Sequence, residues 1–213
     1  MARLKTRKNL YKHSSSSPVM IDRQDFKNMK DEFKQLDDKH EEIIRRSREV
    51  IRISKQLIYS VHRDDMKEAE LLSKKIKTEL MKLRQLNSGN LFEQHERIAV
   101  QEYVEALCFY GVVKHRKLPT SAELGVSAEH YLLGLCDLGG ELVRKAINAA
   151  IKGKYGEALW IKDLMTEVYG MFLQFDFRNG ELRKKFDGMK YDLKKLEDLA
   201  LQIALKEDGR RKH

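Results

Sequence analysis

Apolar residues recur at intervals of three and four along most of the chain. Phe26, Met29, Phe33, Leu36, His40, Ile43, Val50, Leu57 and Val61 keep this rhythm from Asp22 onward, which predicts one very long helix of about ten turns. "HRDD" at 62–65 breaks it. Ala69, Leu72, Ile76, Leu80, Leu83 and Leu86 then mark a second helix that ends at "NSG", a C-terminal stop signal. A nearly unbroken apolar run, "IAVQEYVEALCFYGVV" at 98–113, lies in a third. "KLPTSAELGVS" reads as the main loop, and Ser127 as the N-cap of a fourth helix reaching about Lys152. "KGKYG" separates that helix from a fifth. After "FRNG", Leu182, Phe186, Met189, Leu193, Leu196, Ala200 and Ile203 hold a heptad spacing to the end of the fold. This last stripe fits either burial against the long first helix or contact with another subunit. No segment has strand periodicity and no internal repeat appears, so the fold class is all-α.

Composition agrees. The 213 residues suit one domain with a real core; two prolines, twelve glycines, 35% charged and 41% hydrophobic residues describe a helix-rich protein. Cys108 and Cys136 both lie in apolar runs and read as buried thiols of a reducing compartment. No charge-free run is long enough to span a membrane, and no apolar signal core follows the basic N-terminus, which points to a cytoplasmic or nuclear protein. Five of the nine net positive charges fall in the first thirteen residues, "MARLKTRKNLYKH", leaving the remainder only mildly basic. Residues 1–20 are therefore expected to form a flexible basic arm, 21–206 the helical domain and 207–213 a basic tail.

The informative charges are acids. Within the apolar run, Glu102 and Glu105 are three residues apart and so share one helix face, where they repel each other. "YLLGLCDLGGELV" at 131–143 repeats the pattern, with Asp137 and Glu141 at i and i+4 and His130, Gly134, Gly140, Arg144 and Asn148 on the same side. Two such helices facing each other would gather four carboxylates. A cluster of that kind holds either protons or a hard cation, and Mg²⁺ or Mn²⁺ suits carboxylate oxygen. One or two ions would serve phosphodiester hydrolysis. Ordinary pairing is the other reading: Glu141 with Arg144, and Glu102 or Glu105 with a lysine from another helix. Ferritin-like iron sites need Glu-x-x-His on two helices, which neither stretch supplies. P-loop, nucleophile-elbow, zincin and dinucleotide-binding motifs are absent from the sequence.

"VQEYVEAL", "YLLGLCDLGGELVRKAIN" and "LRKKFDGMKYDLKKLEDLALQIAL" resemble the translin superfamily, the first two its translin-associated factor X (Trax) branch. "SSPVM" at 16–20 resembles the segment that opens Trax's first helix. The resemblance runs from about residue 16 to about 206. It implies a translin-like bundle of about six to seven helices, assembly into a barrel, either as a homo-oligomer or with a translin-type partner, and binding of single-stranded RNA or DNA. It also implies Mg²⁺-dependent endoribonuclease activity in Trax-type subunits.

Carried over by position, the catalytic and metal-binding acids of Trax fall on Glu102, Glu105, Asp137 and Glu141. Translin, the non-catalytic branch, lacks the first pair. Its basic, histidine-rich stretch is kept here only as His95 and Arg97; with Lys114 and Arg116 of "KHRK", and Arg144, these are the candidate RNA contacts. Gly139 replaces a threonine usual in Trax, and the Gly139-Gly140 pair fits a close helix approach or an RNA backbone. A translin-like nucleic-acid binder without catalysis and a purely scaffolding helical protein are the competing functions.

Overall fold

A computed structural model describes residues 21–87 and 93–211, leaving the expected N-terminal arm outside the described residues. Among the described residues there are seven helices and no strand: α1 (Arg23–His62), α2 (Met66–Leu86), α3 (Glu93–His115), α4 (Ser121–Leu124), α5 (Ala128–Ile151), α6 (Tyr155–Phe172) and α7 (Glu181–Arg211). The all-α expectation holds. None of these helices is long and apolar enough to cross a membrane. α7 continues through Glu207 into the segment expected as a tail.

The chain divides into two compact units, the residues up to Asp38 and those from Lys39 onward. In the first, the apolar stripe of α1 is in water: Phe26, Met29, Phe33 and Leu36 are all exposed. In the second, the same rhythm goes underground, with Ile43, Val50, Ile53, Leu57 and Val61 fully buried. Ordinary signals end and start the helices. Asp65 caps α2, its carboxylate accepting from the Glu68 amide, and Ser127 caps α5 by accepting from His130. α4 falls within the stretch expected to be a loop. Its signal is nevertheless written in the sequence: Thr120 and Glu123 form a reciprocal capping box, and Gly125, at φ 63°, ends the turn in the left-handed region.

α5 is the central helix, packed against α3, α6 and α7. Gly134 makes the α3 contact possible, since a Cβ there would lie 2.6 Å from the Val104 side chain and 3.1 Å from the Gln101 carbonyl. Gly139 admits neighbours on the other side, its missing Cβ facing Met165 of α6 and Asp192 of α7. Gly140 meets nothing within 4 Å, so of the adjacent pair only Gly139 serves close packing. The α7 stripe is buried at Phe186, Met189, Leu196 and Ile203, and its chief partners are α5 and α6 rather than the long first helix. At the α6–α7 turn Phe172 and Tyr169 stack on Phe186, with ring centroids 5.7 and 5.4 Å away, fixing the register of α7.

Candidate functional site

The close α3–α5 approach brings the four predicted acids together. Glu102, Glu105 and Glu141 line a pocket of about 340 Å³ with Lys55, Ile58 and Tyr59 of α1 and Arg144 of α5. Asp137, one turn before Glu141, acts electrostatically on both Glu102 and Glu105. A larger cavity of about 430 Å³, walled in part by Tyr110, His115, Lys117 and Glu123, lies apart from them. Its one acid is already bound to Lys117 at 2.5 Å, so size alone does not make it the site.

Three of the four acids have a basic partner from α1 or α7. Lys185 of α7 donates to both oxygens of Asp137, at 2.8 and 2.6 Å, and stands 3.5 Å from the Gln101 side chain. Lys55 lies 3.7 Å from Glu102. His62, the last residue of α1, is hydrogen-bonded through Nε2 to Glu141, while Arg144 is more distant at 3.9 Å. The expected Glu141–Arg144 pair is therefore secondary to a histidine. Among the described residues, Glu105 has no hydrogen-bond or ion-pair partner.

The electrostatics follow. Burial pushes the Glu105 carboxyl up to about 8, and the charges of Asp137, Glu102 and Glu141 add to it. Burial also raises Glu102, with Lys55 opposing. Glu141 goes the other way, held below the usual carboxylate range by the His62 bond. The His62 ring is buried against Phe109, and its Nδ1 has no hydrogen-bond partner among the described residues. As the side chains stand, no three His, Cys, Asp or Glu of the described residues surround a common point that would hold a metal ion.

Residues 38–207 match the Translin family. The chain belongs to that family. Translin of Gallus gallus is 32% identical over 129 residues, a match covering 54% of this chain and 56% of that protein, so the chain spans just over half the length of that relative. Translin-associated protein X of Pongo abelii aligns more fully, at 27% identity over 94% of this chain and 83% of its own. Among solved structures, apo-NeC3PO superposes with a TM-score of 0.80 and 32% identity, covering 86% of this chain and 98% of that one. An AfC3PO complex with duplex RNA shares the fold, with a TM-score of 0.74 at 24% identity over 84% and 97% of the two chains.

In this Translin-family chain the candidate RNA contacts do not form one patch. Arg144 lies in the acid pocket. His95, near the start of α3, meets His40 of α1 with ring nitrogens 3.3 Å apart. Arg97 is tied to Glu129 at 3.0 Å and Glu181 at 3.1 Å. Lys114, nearly the length of α3 away, is bound to Glu70 at 2.6 Å and to the Tyr110 hydroxyl at 2.8 Å. Arg116 takes a left-handed backbone, φ 54°, and lays its guanidinium over the Trp160 ring at 3.9 Å. The lysine expected from another helix opposite Glu102 or Glu105 is Lys55, whereas sequence reasoning missed His62 and Lys185. His62 sits inside the "HRDD" break, and Lys185 immediately precedes a stripe residue, Phe186.

Proposed function

We propose that this Translin-family chain is a metal-dependent endoribonuclease subunit that cuts single-stranded RNA and works as an oligomer, either with itself or with a translin-type partner. Glu105 carries the reading. It is a carboxyl set in an apolar helix face, with no partner among the described residues and with three other acids acting on it. Four carboxylates fit a hard divalent cation such as Mg²⁺ or Mn²⁺ in donor type and charge, and the cation would relieve the burial cost that Glu105 bears. Glu102, Glu105 and Asp137 are the residues that would hold it. Lys185 and Lys55, which now neutralise Asp137 and Glu102, would have to turn aside.

When bound, such an ion activates water and offsets charge on the phosphate being cleaved. Glu141, fixed by His62, is placed to accept a hydrogen bond from water, and Arg144 and Lys55 present cations to phosphate oxygens at the pocket edge. A space of about 340 Å³ suits one nucleotide of a flexible strand better than a stacked duplex. The relatives support the reading by name and fold: one is a translin-associated protein X, and a structural neighbour was solved with duplex RNA, which supports RNA binding but not the choice of a single strand.

The partnering of three acids by Lys55, His62 and Lys185, the lack of a ready three-ligand point among the described residues, and the 32% identity to a Translin all favour a nucleic-acid binder without catalysis. Incubating purified protein with end-labelled single-stranded RNA separates the two. The nuclease reading expects cleavage with Mg²⁺, none with EDTA, and none from Glu102→Gln, which retains RNA binding. Metal-independent cleavage, or wild-type cutting by Glu102→Gln, would overturn it.

A further inference from the structure

We infer that the outward face of α1 next to the acids is a subsite for single-stranded polynucleotide, in which Tyr59 stacks on a base and Lys55 and Arg63 meet the backbone. This rests on the RNA reading above and says where the strand runs. Arg52, Lys55, Gln56 and Tyr59 fall at i, i+3, i+4 and i+7 on one face of α1, Arg63 follows in the turn just after it, and all five are exposed. The first four, with Ser60, Arg63, Leu72 and one acid, Glu68, wall a groove of about 570 Å³ between α1 and α2, so its cations outnumber its acid by three to one. Lys55 and Tyr59 also line the acid pocket, so groove and pocket adjoin through these two side chains.

The chemistry of the groove selects its ligand. Tyr59 is an aromatic ring left 54% exposed on an otherwise polar helix face. The Arg63 guanidinium lies over its ring, 4.8 Å from the centroid, which holds it in place and adds a planar cation beside it. Aromatic rings flanked by cations are how single strands are held without sequence reading: bases stack and phosphates are neutralised. Arg52 is already forked to Glu49 at 2.6 and 2.7 Å; Arg63 has no ion-pair partner among the described residues, and Lys55, two-thirds exposed and only loosely paired with Glu102 at 3.7 Å, can turn to phosphate. An acidic peptide would use the same cations but gain little from a π face placed next to four carboxylates. From Arg52 to Arg63 the surface runs eleven residue steps, roughly 16 Å at the helical rise, which suits a strand leading into the pocket rather than a lone nucleotide.

The test measures binding by anisotropy of a fluorescein-labelled single-stranded RNA in EDTA, where nothing is cut. Tyr59→Ala should weaken binding about tenfold, the scale of one lost base stack, and Tyr59→Phe should bind as wild type. The pair Lys55→Gln with Arg63→Gln should lower the slope of log K against log salt by about 1.4, two phosphate contacts' worth. Because Tyr59 is half exposed, circular dichroism and melting temperature should not change in Tyr59→Ala. Tyr59→Ala binding within twofold of wild type, with an unaltered salt slope in the double variant, would overturn the subsite and leave the RNA reading standing. Failure of wild-type protein to bind RNA at all would sink the RNA reading itself. Loss of assembly in Tyr59→Ala with RNA affinity intact would assign this face to a protein contact and also overturn the subsite.

Discussion

The two ends of α3 and its middle solve the same problem differently. At the start, Arg97 sits between Glu129 and Glu181; near the end, Lys114 is held by Glu70 and Tyr110. Each is a cation met by acids from other helices, partly exposed, and such pairs contribute little, about 0–1 kcal/mol. In the middle, two glutamates face two more acids from α5, and Glu105 is left without a partner among the described residues. Even half-buried, a like-charge cluster with an unpartnered member costs more than an exposed pair returns. Helix ends are tied down with salt bridges, whereas at the centre three acids are matched and Glu105 is not, and that one unmatched carboxyl is where the proposed cation would act.

The largest expected effect comes from abolishing the middle. Glu105→Gln or Asp137→Asn should lower RNA cleavage by at least on the order of 100-fold. Lys114→Met, at the tied end, should leave cleavage unchanged. Gel-resolved cleavage rates at saturating Mg²⁺ check both, and equal losses in the two regions would erase the contrast.

The second effect is on stability and pH. Glu105 has its folded pKa raised, from an ordinary 4.5 to about 8, so the folded state binds more protons than the unfolded one between those values. Its carboxyl is therefore fully compatible with the fold below pH 4.5 and increasingly unfavourable as pH rises through 8. Glu102 acts in the same direction, and Glu141, with a lowered pKa, acts oppositely, losing its contribution only as pH falls below the ordinary carboxylate range. In metal-free buffer the Tm advantage of Glu105→Gln over wild type should grow from pH 5 to pH 8, to roughly 5 °C. A difference constant across that range in thermal melts would contradict the burial of an unpartnered carboxyl.

Smaller still is a pair of changes on α5. Gly134→Ala forces a methyl against Val104 and should cost about 1–3 kcal/mol while separating Glu105 from Asp137. Gly140→Ala, with nothing within 4 Å, should stabilise the helix by about 0.5–1 kcal/mol. Urea denaturation of the two variants checks the opposite signs.

Much of this was legible in the residue pattern, because helix boundaries and faces are local properties. The fourth predicted helix, capped by Ser127 and reaching about Lys152, is α5 at Ala128–Ile151, and two acidic pairs on apolar faces were enough to expect one cluster. What could not be read was who stands opposite. His62 and Glu141 are 79 residues apart and Lys185 and Asp137 are 48 apart, separations that no periodicity encodes. The α7 stripe shows its own apolar side but not that α5 and α6 cover it. "KHRK" reads as a basic patch, yet Lys114, still within α3, is held by Glu70, while Arg116, in the left-handed turn after it, lies over Trp160. Charge clustered in sequence is not charge clustered in space. Thr120 and Glu123 are the counter-example, a short-range signal for α4 that the loop reading passed over.

The central claim is that the middle of α3 and α5 takes its missing positive charge from a divalent ion. Titrating Mn²⁺ into RNA-free protein, with free ion read by electron paramagnetic resonance, tests this without reference to catalysis. The account predicts saturable binding by wild-type protein, lost in Asp137→Asn and Glu105→Gln and unaffected by Lys114→Met. Wild-type protein that leaves all Mn²⁺ free at millimolar concentration, or Asp137→Asn that binds as tightly as wild type, would contradict it.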